Sequence, residues 1–176
     1  MWIKAAARAS KDLKAELIGE EEVMFKNILL PIDGSRASMR SAHRGIELAK
    51  VLGARVTVLA VTTPWTVYFS RELAAVVPDV VIPQMEYDLK REAAAAFFLS
   101  NIVTDARSAD VRAKSVHRSD PDPYQAIVRT AEHQRCDLIV MSSHCDGAVT
   151  GMLLGNEAMK VMTHTTIPVL VYRENA

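Results

Sequence analysis

Short apolar runs recur along the chain, separated by stretches with a helical pattern. The first run, "NILLPID", is stopped by proline, aspartate and glycine, as expected of a buried strand in a parallel sheet. The run "DVRAKSVHRS" instead alternates between apolar and polar residues, which predicts a strand nearer the edge of the sheet. The predicted strands are residues 27–33, 55–63, 110–119, 137–143 and 167–173.

The stretches between these runs predict helices. In the first of them the apolar residues fall at helical spacing, Ser35 can cap the N-terminus, and Gly53 ends the pattern. The second is rich in Ala, Leu, Glu and Lys, which favour helix. The third has proline in its first turn, with Asp120 or Asp122 as the cap. The predicted helices are residues 35–53, 84–108, 120–136 and 155–165.

Alternation of strands and helices predicts a three-layer α/β/α sandwich with a five-stranded, mainly parallel sheet. In such sheets ligands bind beyond the carboxyl ends of the strands. That edge would gather Asp33, the Thr62–Thr63 end of the second strand, and the loop of residues 142–156. The sequence therefore predicts one crevice where these three places meet.

Composition narrows the class of protein. Of 176 residues, 49% are hydrophobic and 24% charged, which fits one globular domain and argues against disorder. The 21 basic and 21 acidic residues cancel, so no general attraction to nucleic acid or to an anionic membrane is expected. No apolar segment approaches the length of a membrane helix, so membrane insertion is not expected. Cys136 and Cys145 form neither a CxxC pair nor a zinc set, which predicts a reducing, cytoplasmic location.

Two segments stand apart from the alternating pattern. Residues 1–23 form an arm in which apolar residues at spacing four predict a short amphipathic helix. The arm is either a genuine extension of the domain at 24–176 or the product of a start codon upstream of the true one. Residues 64–83 form a long connection with three clustered aromatics, which either bind a partner or fold back onto the core.

The usual catalytic sets are not found in the sequence. The histidines are scattered without a shared carboxylate spacing, so no metal site is predicted. A Ser-His-Asp triad could be drawn from Ser142, His144 and Asp33, but nothing resembles a nucleophile elbow. Walker, dinucleotide and kinase motifs are absent as well. We therefore predict no efficient enzyme and assign no catalytic residue.

Three segments carry a family likeness: "FKNILLPIDGS", "CDLIVMSSH" and "LLGNEAMKVMTHTTIPVLVYR". In this order they resemble the universal stress protein family over Met24 to Arg173. The resemblance implies strand order 3-2-1-4-5, a homodimer formed through the last strand, and a role in stress response. One branch of the family binds ATP through a motif of the form G-x2-G-x9-G-[S/T], and another branch has lost it.

In this chain the ATP motif has diverged. The resemblance places its glycines on Ser142, Cys145 and Gly155 and its hydroxyl residue on Asn156. Glycine serves such a turn because it reaches positive φ and lets a phosphate approach the backbone. Only Gly155 is retained, and a cysteine in a left-handed conformation costs about 1 kcal/mol or more.

The charges near the motif disfavour triphosphate binding more strongly than the loss of its glycines does. Asp146 stands where ATP-binding relatives commonly have Arg or Lys, and Glu157 falls in the first turn of the last helix. A carboxylate near the phosphates costs about 1–4 kcal/mol at surface-like dielectric. Mg²⁺ bridging carboxylate and phosphates would reverse that effect. His144 is either near the phosphates or a solvated loop residue.

The adenine side of the crevice is better preserved. Pro31 and Asp33 end the first strand as the resemblance implies, and Asp33 either accepts a hydrogen bond from a base or ribose or serves as a turn residue. Val61 and Met141 match positions that pack against adenine, and sheet core is the alternative for both. The sequence thus predicts a regulatory module that acts through a protein partner, with no or weak ATP binding and AMP as a candidate ligand. The alternative is an ATP-binding switch with slow, metal-dependent hydrolysis.

Overall fold

In a computed structural model of the chain, the structure describes residues 24–66, 83–143 and 156–173. Several predictions concern residues outside these ranges: the arm at 1–23, most of the connection at 64–83, and His144, Cys145, Asp146 and Gly155. Five strands and four helices alternate along the described chain. They are β1 (Asn27–Ile32), α1 (Arg36–Leu52), β2 (Arg55–Thr62), α2 (Gln84–Ser108), β3 (Ala113–Ser119), α3 (Pro123–His133), β4 (Leu138–Ser142), α4 (Asn156–His164) and β5 (Val169–Tyr172).

All strand pairs are parallel, and the sheet order is β3-β2-β1-β4-β5. The predicted α/β sandwich and its strand order are therefore confirmed. The central strand β1 is buried along its whole length, as its unbroken apolar run indicates. β3 lies at one edge of the sheet, as its alternating sequence predicts, and β5 lies at the other.

Two hydrophobic clusters cover the two faces of the sheet. On one face α1 and α2 pack against β1 and β2 through side chains such as Ile46 and Ile102, both nearly inaccessible. On the opposite face α3 and α4 pack through Ile127 and Val161. Because every connection crosses from the carboxyl end of one strand to the amino end of the next, the loops divide into two sets at the two ends of the sheet.

Local signals set the helix ends. Ser35 caps α1, and its Oγ accepts a hydrogen bond from the Ser38 N–H at 3.2 Å. Gly53 ends α1 in a left-handed conformation with φ of 65°. Asp122 is the N-cap residue of α3 and Pro123 follows it, but the Asp122 side chain makes no capping hydrogen bond. The N-terminus of α3 therefore needs an acceptor from elsewhere in the structure, and a side chain that lines the crevice supplies it.

Within the described ranges, no helix is both long and apolar enough to span a bilayer.

Candidate functional site

A crevice of about 410 Å³ opens beyond the carboxyl ends of β1, β2 and β4. This is the position where open parallel sheets bind ligands, between strands whose connections leave in opposite directions. Its described lining comprises Pro31, Ile32, Asp33, Ser38, Val61, Thr62, Thr63, Arg91, Pro123, Ile127, Met141, Ser142, Glu157 and Ala158. The structure thus brings together most of the residues that the sequence places at this edge.

The turn after β1 positions Asp33 at the rim of the crevice. Its Oδ1 accepts a hydrogen bond from the Ser35 N–H at 2.8 Å, and the Ser38 Oγ accepts one from the Asp33 N–H at 3.2 Å. Burial raises the pKa of Asp33, but hydrogen bonds from Ser35 and Ser38 outweigh burial, so the pKa lies below its ordinary value. Asp33 therefore serves the turn as an ionised carboxylate and also lines the crevice.

Gly34 makes this turn possible. Its φ is +82°, a left-handed conformation that favours glycine, and a Cβ there would overlap the ring of Phe98 on α2. The turn after β1 is thus held against α2 as well as against the start of α1. That contact fixes where Asp33 stands relative to the helix that carries Arg91.

The end of β2 supplies the next part of the wall. Val61 is half-buried, packs against the cluster under α3 and α4, and also lines the crevice. The Thr62 Oγ1 and His117 Nε2 lie 3.0 Å apart, which joins β2 to the edge strand β3. The Thr63 carbonyl accepts a hydrogen bond from the buried Tyr87 hydroxyl at 3.2 Å. These contacts give this side of the crevice a fixed polar frame.

Met141 and Ser142 form the β4 side of the crevice. Met141 is buried in the cluster under α3 and α4 and contributes to the crevice lining, so core packing and ligand contact are compatible roles for it. Ser142 is half-buried at the end of β4. Asn156 begins α4, where it is exposed, and it does not contribute to the described lining.

Glu157 supplies the acceptor that α3 lacks. Its Oε2 accepts a hydrogen bond from the backbone N–H of Tyr124 at 3.0 Å, and its Oε1 pairs with Lys160 Nζ at 2.9 Å. The Lys160 Nζ in turn lies 5.4 Å from the centroid of the Tyr124 ring. Glu157 thus stands in the first turn of α4, as predicted, while its carboxylate caps the neighbouring helix α3.

Sequence reasoning missed Arg91, the one cationic side chain in the described lining of the crevice. Tyr87, Ala95 and Leu99 are buried on the face of α2 that packs against the sheet, and Arg91 occupies the same spacing-four series. A cation within a buried apolar stripe is the signal that could have identified it. Ser38, Pro123, Ile127 and Ala158 were also missed, because only tertiary packing brings them to this edge.

Three of the described histidines, including His117 beside Thr62, make separate local contacts. His43 pairs with Asp105 at 2.9 Å, and the His164 ring packs against Tyr124 with centroids 4.9 Å apart. In residues 24–66, 83–143 and 156–173, no three His, Cys, Asp or Glu side chains are grouped to hold a metal ion. Cys136 is buried, and burial raises the pKa of its thiol.

The sequence is similar to those of known proteins. The chain is 32% identical over 156 residues to a universal stress protein of Thermus aquaticus and 29% identical over 151 residues to the universal stress protein YxiE of Bacillus subtilis. Each alignment covers 85% of this chain and 100% of the relative.

Solved structures share the fold at lower sequence identity. The hypothetical protein MJ0577 superimposes with a TM-score of 0.67 at 23% identity, covering 87% of this chain and 99% of the other. A universal stress protein in complex with cAMP gives 0.58 at 18% identity, covering 85% and 97%. One from Archaeoglobus fulgidus in complex with dAMP gives 0.57 at 17% identity, covering 84% and 98%. The model of the universal stress protein family matches residues 24–173, and the chain belongs to this family.

Proposed function

We propose that this universal stress protein is a regulatory module of the stress response that acts through a protein partner. Its crevice accepts a small adenine nucleotide such as AMP and binds ATP weakly or not at all. The observation that carries this proposal is the position of the Glu157 carboxylate, which lines the crevice and bonds to the Tyr124 N–H. We assign no catalytic residue and propose no efficient hydrolysis.

Glu157 lowers the affinity of the crevice for phosphate groups in two ways. Its carboxylate occupies a backbone N–H at the start of α3, a kind of donor that attracts phosphate oxygens. It also carries negative charge into the lining, which costs a nearby phosphate about 1–4 kcal/mol at surface-like dielectric. Lys160 compensates part of that charge, but it is already paired with Glu157. A triphosphate, with the largest charge, is penalised most.

The adenine side favours a ligand of modest size. Pro31, Asp33, Val61 and Met141 contribute to one wall, with an apolar surface and a carboxylate that can accept hydrogen bonds from an amine or a hydroxyl. The volume of about 410 Å³ is near the lower end of ligand pockets, which span about 300–1,000 Å³. The neighbours solved with cAMP and dAMP, each of which has a single phosphate, support this ligand class.

We also infer a homodimer formed through β5. This strand lies at the sheet edge, where an open row of backbone groups is prone to pair with another strand. Leu170 is 49% exposed on it, which supports coverage by a second copy across a two-fold axis. The family match over residues 24–173 supports a domain at 24–176 with 1–23 as an extension. A cytoplasmic location stays a prediction from composition.

Calorimetric titration of the purified full chain with AMP and with ATP, each with and without Mg²⁺, tests the proposal. We expect heat from AMP that does not depend on Mg²⁺, and at least about tenfold weaker binding of ATP, which corresponds to about 1.4 kcal/mol. Tight ATP binding that requires Mg²⁺ would overturn the proposal. It would support the ATP-binding switch instead, with Asp146 or Glu157 as a metal partner. Absence of heat from both nucleotides would overturn nucleotide binding altogether.

A further inference from the structure

Arg91 is placed where α2 would ordinarily have an apolar residue. Tyr87 lies one turn before it and is buried, while Ala95 and Leu99 lie one and two turns after it and are buried as well. Residues at spacing four share one face of a helix, so Arg91 belongs to the face directed at the sheet. Since Arg91 remains exposed, its charge reaches the crevice rather than the core.

One hydrogen bond and one ring contact hold Arg91 against Tyr87, and a second hydrogen bond anchors Tyr87 itself. Its Nε donates to the Tyr87 hydroxyl at 3.2 Å, and that hydroxyl donates to the Thr63 carbonyl at 3.2 Å. The guanidinium carbon lies 5.4 Å from the centroid of the Tyr87 ring. Because Tyr87 is buried, these two hydrogen bonds link Arg91 to the end of β2 through a side chain that has little freedom to move. Such a pre-positioned guanidinium loses less side-chain entropy when it binds a ligand.

Among the described residues, much of the donor capacity of Arg91 is unused. An arginine has five N–H donors, and here one of them serves Tyr87. Among the described residues no carboxylate pairs with Arg91, whereas its neighbour Lys90 pairs with Glu86 at 2.6 Å. Asp88 and Glu92 line an adjoining cavity of about 240 Å³ that Arg91 also lines, without forming an ion pair with it.

Charge is distributed unequally across the crevice. Arg91 lies on the β2 side, next to Thr62 and Thr63, which line both this crevice and the adjoining cavity. Glu157 contributes a carboxylate from the first turn of α4, the helix that follows β4, and Asp33 contributes a second carboxylate at the end of β1. An anionic group is therefore attracted to the end of β2 and repelled from the end of β4. The motif-bearing loop that follows β4 is thus the less favourable side for a phosphate.

We propose that the anion subsite of this crevice lies at Arg91, at the carboxyl end of β2, and takes the phosphate monoester of a nucleoside monophosphate. This inference rests on the proposed function, because it assigns the phosphate of the same ligand. The planar guanidinium presents paired N–H groups that match two oxygens of one phosphate, and the hydroxyls of Thr62 and Thr63 are nearby in the lining.

Titration calorimetry of the full chain with AMP and with adenosine separates the phosphate contact from the base contact. We expect Arg91→Gln to weaken AMP binding by at least about tenfold, the effect of losing a charge-assisted hydrogen bond, and to change adenosine binding less than about twofold. Arg91→Lys should recover part of the loss. Lys90→Gln is the matched control, because it removes the adjacent positive charge outside the crevice lining and should leave AMP binding unchanged. Urea unfolding of each variant checks that the fold is intact.

Each other outcome has a distinct meaning. Equal weakening of AMP and adenosine by Arg91→Gln would overturn the subsite, since Arg91 would then contact the base or support the wall. AMP binding that Arg91→Gln leaves unchanged would overturn it too and would return the phosphate to the β4 loop. Wild-type protein that binds adenosine and AMP equally would overturn the subsite while the crevice remains an adenine site. Wild-type protein that binds neither would overturn the proposed function together with the subsite.

Discussion

The two ends of the sheet use polar side chains in opposite ways. At the amino end, the two carboxylate oxygens of Asp137 accept hydrogen bonds from the backbone N–H groups of Lys26 and Asn27 at 2.7 and 2.9 Å. At the carboxyl end, Arg91 keeps donors that no described residue uses, and Glu157 turns its carboxylate to a neighbouring helix. At the amino end the polar side chains satisfy backbone groups of the protein itself, whereas at the carboxyl end Arg91 has donors that a ligand in the crevice could use.

Asn27 completes the closure of the amino end. Its Nδ2 donates to the carbonyls of Gln134 and Arg135 at 2.8 and 3.2 Å, and its Oδ1 accepts a hydrogen bond from the Thr57 Oγ1 at 3.2 Å. Within the described residues, no buried side-chain nitrogen or oxygen lacks a hydrogen-bond partner. Matched polar groups in the interior stabilise the fold, whereas unmatched donors at a crevice are available to a ligand.

Replacement of Asn27 by Ala should have the largest effect and should separate the two ends. The change removes three hydrogen bonds from a residue that is 1% exposed and leaves buried partners unsatisfied, so we expect a loss of about 3 kcal/mol in the free energy of unfolding. Urea unfolding measures this loss. Calorimetry on the folded fraction should give unchanged AMP affinity. An altered affinity at constant fold would mean that the two ends are coupled.

Replacement of Gly34 by Ala should give the next largest effect, because it tests the support of the crevice. The left-handed φ and the overlap with Phe98 together should cost about 2 kcal/mol in unfolding free energy. Gly53→Ala is the matched control, since its φ is +65° and an added Cβ meets nothing within 4 Å. It should cost only the backbone strain, about 1 kcal/mol. In a Phe98→Leu background the cost of Gly34→Ala should fall toward that of the control. Equal costs for both glycines in the wild-type background would show that Phe98 exerts no constraint.

Replacement of Glu157 by Gln tests the electrostatics of the β4 side. Gln keeps an oxygen for the Tyr124 N–H but loses the charge, so ATP affinity should rise about tenfold or more. AMP affinity should change less than about threefold, because its proposed phosphate site is at Arg91, on the β2 side of the crevice. Loss of the half-exposed pair with Lys160 should cost less than about 1 kcal/mol.

Glu47→Gln is the control for this change, because Glu47 also forms an i,i+3 ion pair, with Arg44 at 2.7 Å, but lies outside the crevice lining. Competition calorimetry measures the affinity of each variant for AMP and for ATP. Unchanged ATP affinity in Glu157→Gln would mean that this carboxylate does not oppose the triphosphate.

Local sequence patterns were sufficient to predict the elements and the place of the crevice. The sequence predicts a helix over residues 84–108, and α2 has those bounds, because helix formers such as Ala, Leu, Glu and Lys are frequent in the segment and neither Gly nor Pro interrupts it. Asp33, Thr62 and Ser142 converge because parallel strands end at one edge of the sheet. The strand order followed from the family resemblance rather than from the pattern itself.

The contacts that give the crevice its charge could not be predicted in the same way. Glu157 bonds to Tyr124, 33 residues earlier, and Asp137 bonds to Asn27, 110 residues earlier. Such partners are set by the packing of helices and strands, which local propensity does not encode. Arg91 differs, because its place in a buried stripe is visible in the helical spacing once the inward face is known.

Replacement of Asp33 by Asn should have the smallest effect and tests the rim between the two sides of the crevice. The pKa of Asp33 is lower in the folded chain than its ordinary value of about 3.9, so folding favours the ionised carboxylate. Its stabilising contribution is therefore fully present above the unfolded pKa and is lost as the pH falls through the folded pKa. Because Asp33 is only partly buried and solvent screens its charge, we expect less than about 1 kcal/mol at neutral pH.

Urea unfolding of wild type and Asp33→Asn between about pH 2 and 7 measures this contribution as the difference between two free energies. The Asn side chain can still accept a hydrogen bond from the Ser35 N–H, so the comparison isolates the effect of the negative charge. The difference should shrink toward acid, and Ser38→Ala should reduce its pH-dependent part, because Ser38 is one of the groups that lower the pKa. A difference of the opposite sign at neutral pH, with Asp33→Asn the more stable, would mean that burial outweighs the hydrogen bonds. The rim would then disfavour the ionised carboxylate, which is the stronger acceptor for an adenine amine or a ribose hydroxyl.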